Sequence, residues 1–300
     1  MSRGGDLGYL CQVSISTFVA RSLKEPSYAW RRFVWGVHQR IPERAITMPT
    51  RHGRLSFSSR DHVIGRLLCL NGEYGMEAIE RAAEILGREP RRGPVLLDVG
   101  ANIGTACLAP PLRALYPRAV AIEPEPGNFR LLAANIRQNG VDVQAVQCAV
   151  GERDGTANMR LSRDNYGDHR VEEGSGTIRV RRIDEILESL KLDPSEVGLV
   201  WMDIQGYEFK ALRGAERLLE SGPPLVTEFW PHGLRAAGSD PEELLSLLRR
   251  HYGQFRILNV HANAREVSSW TSTSELTLSQ LMPAGASTDI RSECDLMLRR

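Results

Sequence analysis

From Val95 onward the chain alternates between short apolar runs and stretches of helical periodicity. Val95–Val99, bounded by Gly93-Pro94 and Gly100, is a run of the kind expected for a strand buried on both faces. Ala119–Ile122 and Val143–Val150 are two more, with a helix predicted over Phe129–Gln138 and stopped by Asn139-Gly140. Leu199–Met202 and Leu225–Phe229 predict further strands. Between them a helix is expected from Tyr207 to Leu219, ending at Gly222 before Pro223-Pro224. Asp240 as cap, Pro241 at the first position and Glu242-Glu243 in the first turn open another helix. Arg256–Val260 and Asp295–Leu298 are expected to form a closing antiparallel pair. Strands alternating with helices imply a mostly parallel α/β sheet covered on both faces, whose ligands bind beyond the carboxyl ends of its strands.

Upstream the pattern is different. Tyr28–Arg40 places Trp30, Val34 and Val37 at helical spacing, with Arg31, Arg32 and Arg40 elsewhere around the axis. This stripe is expected to pack on its own domain; the alternative is a surface for a membrane or a partner. Ile46–Ser58 predicts short strands around His52-Gly53, and a helix follows over Glu77–Leu86, ending at Gly87. The division expected is an N-terminal helical and β-hairpin extension over 1–60 and one domain over 61–300. Within that domain the segment 156–180 interrupts the alternation. Its Asn165, Tyr166, Gly167 and Gly174-Ser175-Gly176 read as a hairpin or lid.

Composition narrows the classes. At 42% hydrophobic and 25% charged the chain is an ordinary globular protein. A formal net charge of +1 supplies no global attraction to nucleic acid, so no nucleic-acid partner is expected. The five cysteines, Cys11, Cys69, Cys107, Cys148 and Cys294, are scattered without a C-x-x-C pair, which argues against zinc or a disulfide framework. Leu7–Ala20 is too short and polar to span a bilayer and lacks a cleavage pattern. A soluble, cytoplasmic protein without a transmembrane segment is expected.

The chemistry-bearing residues fall at strand ends. The first strand runs into Asp98-Val99-Gly100-Ala101-Asn102-Ile103-Gly104. Gly100 permits a tight turn with positive φ, and Gly104 lets the following segment pack close to the strand. An NAD-binding turn would read G-x-G-x-x-G, but Asn102 and Thr105 take the second and third glycine positions. Asp98, just before the turn, would repel a pyrophosphate yet suits the cationic amino group of a methionine moiety. The second strand ends in Glu123-Pro124, about twenty residues on, where an acidic side chain can accept both hydroxyls of a ribose.

Several strings in this order resemble the FkbM-type methyltransferases: LLDVGANIG at Leu96–Gly104, AIEPEPGNF at Ala121–Phe129 and AVGERDG at Ala149–Gly155. VRRIDEIL at Val180–Leu187 and WMDIQGYEFKALRGAERLL at Trp201–Leu219, running on to TEFWP at Thr227–Pro231, complete the likeness over roughly residues 60–235. The resemblance implies a seven-stranded Rossmann-like class I methyltransferase fold with an antiparallel last strand. It implies S-adenosylmethionine as cofactor and a small-molecule hydroxyl as acceptor, on a sugar, a glycolipid glycan, or a polyketide or peptide natural product. By this likeness Asp98 and the turn Gly100, Ala101, Asn102, Gly104 hold the methionine end. Glu123, with Pro124 and Asn128 beyond it, holds the ribose side, and the backbone near Ala149 faces the adenine. Tyr74 and Glu77, in GEYGME, stand where the family has a string close to the cofactor, although Gly75-Met76 separate them here. The family usually writes D-[VI]-E-G-x-E where this chain has Asp203-Ile204-Gln205-Gly206-Tyr207-Glu208. Pro110-Pro111 predicts that the helix after Gly104 is short or kinked.

Methyl transfer from a sulfonium is an in-line displacement, and an aliphatic hydroxyl needs a base to take its proton, worth roughly 10²–10⁴-fold. Candidates are Asp203, either as base or on the cofactor's amino group, and Glu228, as base or as orienter of the acceptor. His169 in the lid is a third. His232, four residues after Glu228, reads equally as a solvent-exposed loop residue. Asp203 and Glu228 together make only an incomplete site for a divalent ion, so no metal is expected. Competing classes are a nucleic-acid N-methyltransferase, which lacks its Asn/Asp-Pro-Pro-aromatic string here, an NAD enzyme, and a noncatalytic cofactor-binding adaptor acting through the N-terminal helix.

Overall fold

The computed structural model describes residues 26–89, 92–261, 269–281 and 293–300; Leu7–Ala20 and Cys11 lie outside them. A helix over Pro26–His38 leads into an antiparallel hairpin of β1 (Ala45–Thr50) and β2 (Gly53–Ser58). The helix that follows, Ile64–Asn71, has no counterpart in the sequence reading. It is short, and it starts where the buried Asp61 carboxylate accepts the amides of Val63, Ile64 and Gly65, a local cap at its N-terminus. The next helix spans Met76–Gly87.

The α/β repeat then begins with β3 (Val95–Val99), β4 (Arg118–Ile122) and β5 (Val143–Val146), the helix Pro126–Asn139 crossing between β4 and β5. Val143–Val150 is not one strand. It splits after Val146, and β6 (Ala149–Val150) turns into a second sheet with β7 (Gly155–Arg160), β8 (Arg170–Glu173) and β9 (Ile178–Arg181). The main sheet resumes with β10 (Val197–Met202) and β11 (Leu225–Phe229). The helix expected over Tyr207–Leu219 is two, Glu208–Arg213 and Glu216–Ser221. Two features break it. A Cβ on Gly214 would meet the Gly151 carbonyl at 2.1 Å, and the buried Asp184 carboxylate accepts the amides of Arg217 and Leu218, starting a fresh helix. After Gly104 the chain runs in turns until a six-residue helix begins at Pro110, which accepts proline in its first turn.

β12 (Gln254–His261), β13 (Thr271–Ser272) and β14 (Glu293–Arg299) finish the main sheet, whose order is β13-β12-β14-β11-β10-β3-β4-β5. The sheet is therefore mixed and has eight strands among the described residues, one more than the expected seven, the addition being the two-residue edge strand β13. β5, β4, β3, β10 and β11 are parallel, and β14 pairs antiparallel with both β11 and β12. Chain order reverses between β3 and β10, so their carboxyl ends bound the crevice where such sheets take ligands.

Alternate residues of β3 feed two cores. Val95, Leu97 and Val99 face one apolar cluster, Leu96 the other. The hairpin residues Leu55 and Phe57 join Leu96, Ala119 and Ala121 in the second cluster. At about 1.5–3 kcal/mol per fully buried large side chain, both faces of the sheet contribute heavily. Among the described residues no helix is long and apolar enough to cross a membrane.

The hairpin is locked to the sheet by Asn135. Its side chain accepts the Ser56 amide at 2.7 Å and donates to the carbonyls of Ser56 at 3.0 Å and Ile103 at 2.8 Å. Replacing it leaves those buried backbone groups unsatisfied, at about 1–3 kcal/mol each before relaxation. Asn135→Ala is expected to lower stability by about 3 kcal/mol in urea denaturation, against under about 0.5 kcal/mol for the exposed Arg137→Ala.

Candidate active site

Where β3 and β10 end, their backbones nearly touch. Asp203 donates its amide to the Val99 carbonyl at 3.0 Å, and a Cβ on Gly100 would lie 1.9 Å from the Asp203 carbonyl. Gly100 also has φ of 84°, so only glycine serves both demands. Left-handed backbone flanks the crossing on both sides, at Asn102 (φ 51°) and Gln205 (φ 57°). Such conformations in non-glycine residues cluster at functional sites.

A cleft of about 530 Å³, counting the part open to solvent, lies over this crossing. Gly100, Asn102, Glu123 and Pro124 line one side of it, and Asn128, Ala149 and Asp203 also face it. The second sheet roofs it: Met159 of β7 and Val171 of β8 contribute, with Tyr166, Gly167 and His169 of the loop between them. That is the 156–180 segment.

Glu123 is 5% exposed and accepts two amides, Asn102 at 2.9 Å and Glu125 at 2.8 Å. Burial still outweighs those bonds and pushes its carboxyl up to about 8. Asn102 and Asn128 converge from two elements on one lid atom, each donating to the Tyr166 carbonyl at 3.0 Å. The Oδ1 atoms of both are buried without a protein partner, and Asn128 is 2% exposed. Uncompensated acceptors on a cleft wall are what a hydrogen-bonding ligand would satisfy.

Asp98 does not reach the cleft. It is 1% exposed, and its Oδ2 accepts the Cys107 amide at 3.0 Å, so it holds the far end of the turn together. Burial raises its carboxyl to about 7. Ala101 and Gly104 likewise sit behind the turn; a Cβ on Gly104 would press on Leu108 at 2.7 Å. Glu77 does not line the cleft either. Its side chain is 87% exposed on the solvent face of its helix, paired to Arg81 one turn on, so it is no part of the site. His232 packs its ring on Trp230 and is absent from the cleft lining.

Beside the cleft is a carboxylate cluster. Glu228, 8% exposed, stands opposite Asp295 in the β11–β14 register, and the Gln205 side-chain amide donates to Asp203 at 2.7 Å and to Glu228 at 3.3 Å. Burial, then the charges of Asp203 and Glu293, raise Glu228 well above the ordinary carboxyl range. The phenol of Tyr74 is kept protonated by burial and by the charges of Asp203 and Glu228. The Glu208 carboxylate, fully buried, accepts the amides of Ile204 and Gly206 and so shapes the loop carrying Gln205; burial lifts it to about 7. Among the described residues no group of three or more side chains is placed to hold a metal ion.

His169 lines the cleft with Nδ1 accepting the Ser162 amide at 3.1 Å. The proton of the neutral ring then sits on Nε2, so the ring donates toward a ligand instead of accepting. Three contributors had no role in the sequence reading. Gln205 was visible only as a departure from a motif. His52, fully buried, bonds the Thr105 carbonyl through Nδ1 at 2.7 Å and accepts the Tyr74 amide on Nε2 at 3.1 Å. Asp61 accepts the Tyr166 amide at 3.4 Å, anchoring the lid. No sequence signal marks the last two, because their partners lie 53 and 105 residues away.

The family described as Methyltransferase FkbM domain matches residues 98–255. Among solved structures the chain is similar to a methyltransferase FkbM from Methylobacillus flagellatus KT, at 19% identity over 71% of this chain and 45% of that one, with a TM-score of 0.40. It is also similar to the C-terminal domain of precorrin-6Y C5,15-methyltransferase from Rhodobacter capsulatus, at 20% identity over 75% and 88% of the two chains, TM-score 0.37. A third is the 16S rRNA N2 G1207 methyltransferase of T. thermophilus in complex with AdoMet and guanosine, at 15% identity over 86% and 50%, TM-score 0.41. The chain spans less than half the length of the M. flagellatus protein. No curated protein matches it.

Two outcomes are expected from this geometry. Gly100→Ala must separate β3 from β10, and should lower the melting temperature by several degrees and close the cleft to ligands, read by calorimetry and by loss of ligand-induced thermal shift. For Glu228 the folded carboxyl titrates above its ordinary value of 4.5, so folding favours the protonated form. Stability is then lost as pH rises above about 4.5 toward the folded value. Glu228→Gln should flatten that fall, raising the melting temperature more at pH 8 than at pH 5; an equal change at both values would contradict the assignment.

Proposed function

The chain belongs to the FkbM methyltransferase family, and from that premise we propose that it moves the methyl group of S-adenosylmethionine onto a hydroxyl of a small molecule. The observation that carries the reading is the cleft at the β3–β10 crossing, which Glu123, Asn102 and Asn128 line together. The residues there fit such a cofactor. Each Glu123 oxygen uses one lone pair on a backbone amide and keeps another for a ribose hydroxyl. Asn102 and Asn128 offer further acceptors, and the Ala149 backbone borders an apolar slot for the adenine. Asp98 acts one step back, as a positioning residue that fixes the turn through Cys107. S-adenosylmethionine, when bound, supplies a methyl on a positively charged sulfur.

The chain's own part is alignment and proton removal. Asp203 faces the cleft and, with Glu228 behind it on the same Gln205 amide, makes a connected pair at the ends of neighbouring strands. One of this pair would take the acceptor's hydroxyl proton as the oxygen gains the methyl group, the carbon–sulfur bond of the sulfonium breaking and S-adenosylhomocysteine leaving as a neutral thioether. Of the two, Asp203 lines the cleft, while Glu228 beside it holds its proton more tightly than an ordinary carboxyl because it is buried. His169 donates from Nε2 to orient the acceptor under the lid. The domain over 61–300 carries this chemistry, with 156–180 as its cover.

Transfer of labelled methyl from S-adenosylmethionine to a panel of sugars and polyketide alcohols tests the reading, with cofactor binding measured by calorimetry. Glu123→Ala should weaken cofactor binding about 100-fold or more. Glu228→Gln should leave binding within about threefold while lowering kcat by about 10²-fold or more, the size of a general-base contribution. Absence of S-adenosylmethionine binding by the intact protein would end the proposal.

A further inference from the structure

The helix Pro26–His38 is apolar on two opposite faces. Tyr28 and Trp35 are buried against the hairpin side of the fold, as an ordinary surface helix requires. Trp30, Val34 and Val37 were expected to make that inward stripe, but Trp30 is 64% and Val37 41% exposed. With Phe33, 61% exposed and stacked on Trp30 at 5.7 Å between ring centroids, they form an outward stripe at i, i+3 and i+7. Only four large apolar side chains are strongly exposed among the described residues, and three of them are here. Such concentration marks an interaction surface.

The surroundings say what kind. Residues 26–66 carry eight arginines against two acids, Glu43 and Asp61, in a chain whose total is only +1. Arg51 pairs with Glu73 and Glu80 from outside this stretch, which still leaves the helix and hairpin with a basic excess. Arg32 lies on the helix, Arg40 just beyond it and Arg44 at the start of the hairpin, all exposed. Exposed tryptophan and phenylalanine set among arginines suit the headgroup level of a bilayer, where the rings enter the acyl boundary and guanidinium groups meet lipid phosphates. The fourth exposed apolar residue, Leu161, is 59% exposed and begins the lid loop. That loop is tied to the helix: Trp35 packs edge-on against His62, whose amide donates to the Asp164 carbonyl at 2.8 Å.

We propose that the outward face of Pro26–His38, with Arg32, Arg40 and Arg44, docks the protein peripherally on an anionic lipid bilayer. The aromatic pair inserts to the depth of the headgroups, and the arginines hold the surface by charge. The contact so drawn is with the headgroups of one leaflet; among the described residues no helix is long and apolar enough to cross a membrane. The proposal stands on exposure and charge and does not depend on the methyl-transfer reading.

The test is co-sedimentation of the full chain with vesicles of phosphatidylcholine alone and of phosphatidylcholine mixed with phosphatidylglycerol. Binding to the mixed vesicles only, lost between about 0.1 and about 1 M salt as the screening length falls from ~10 to ~3 Å, is expected. Arg40→Gln with Arg44→Gln should weaken partition roughly 25-fold, about fivefold per arginine. Trp30→Ala with Phe33→Ala should weaken it at least about tenfold with the melting temperature unchanged, since both rings are exposed in the fold. No binding to either vesicle overturns the proposal, as does equal binding by the Trp30/Phe33 variant. A dimer in sedimentation velocity that dissociates in that variant also overturns it, because a second copy would then cover the face.

Discussion

The close crossing of Gly100 and Asp203 is the constraint on which the rest of the site depends. Two strand ends can approach until a missing side chain alone separates them, and every neighbouring feature follows from that contact. It brings the turn after β3 and the loop after β10 over one crevice. It forces left-handed backbone at Asn102 on one side and Gln205 on the other. It leaves Asn102 facing the lid carbonyl, and Gln205 facing two carboxylates.

Around that crossing the protein collects acids it does not neutralise with buried cations. Asp98, Glu123, Glu208 and Glu228 are all buried, and burial is the leading cause that raises each. Backbone amides offset part of the cost at the first three, while Glu228 accepts from the Gln205 side-chain amide. The cost is therefore concentrated beside the cleft, where a cationic ligand would relieve it by favouring the ionised forms. An arrangement of this kind couples ligand charge to proton affinity: what binds in the cleft changes how strongly Glu228 holds its proton.

The lid shows the same economy of partners. A single peptide, that of Tyr166, is held from below by Asn102 and Asn128 on its carbonyl and from the side by Asp61 on its amide. Its phenol reaches Glu43 at 2.9 Å, so the N-terminal hairpin region, the glycine turn and the helix after β4 all meet at one loop. Opening the cleft at this loop would break these bonds together.

How much of this was legible in the residues differs by range. β3 and β11 lie where their apolar runs predict, and the helix from Pro241 starts at its Asp-Pro-Glu-Glu signal, because burial of a run and capping of a turn are local physics. The glycine turn and Glu123 were readable for the same reason: a tight turn and a strand-end acid sit within a few residues of the strands that place them. The split of Val143–Val150 and the break at Gly214 were not, since each is decided by a partner far along the chain: β9, and the Gly151 carbonyl with Asp184. The helix at Ile64 has a local cap in Asp61, but at eight residues it is too short to show a clear period. Side-chain direction was equally hidden. Asp98 turns inward to Cys107, Glu77 outward to solvent, and Trp30 away from the core that takes Trp35. Local residue patterns suffice for the α/β alternation, the place of the crevice at the strand ends and the family. Which polar groups face that crevice is settled by long-range packing, because periodicity specifies the face of an element, while packing against distant residues specifies what that face meets.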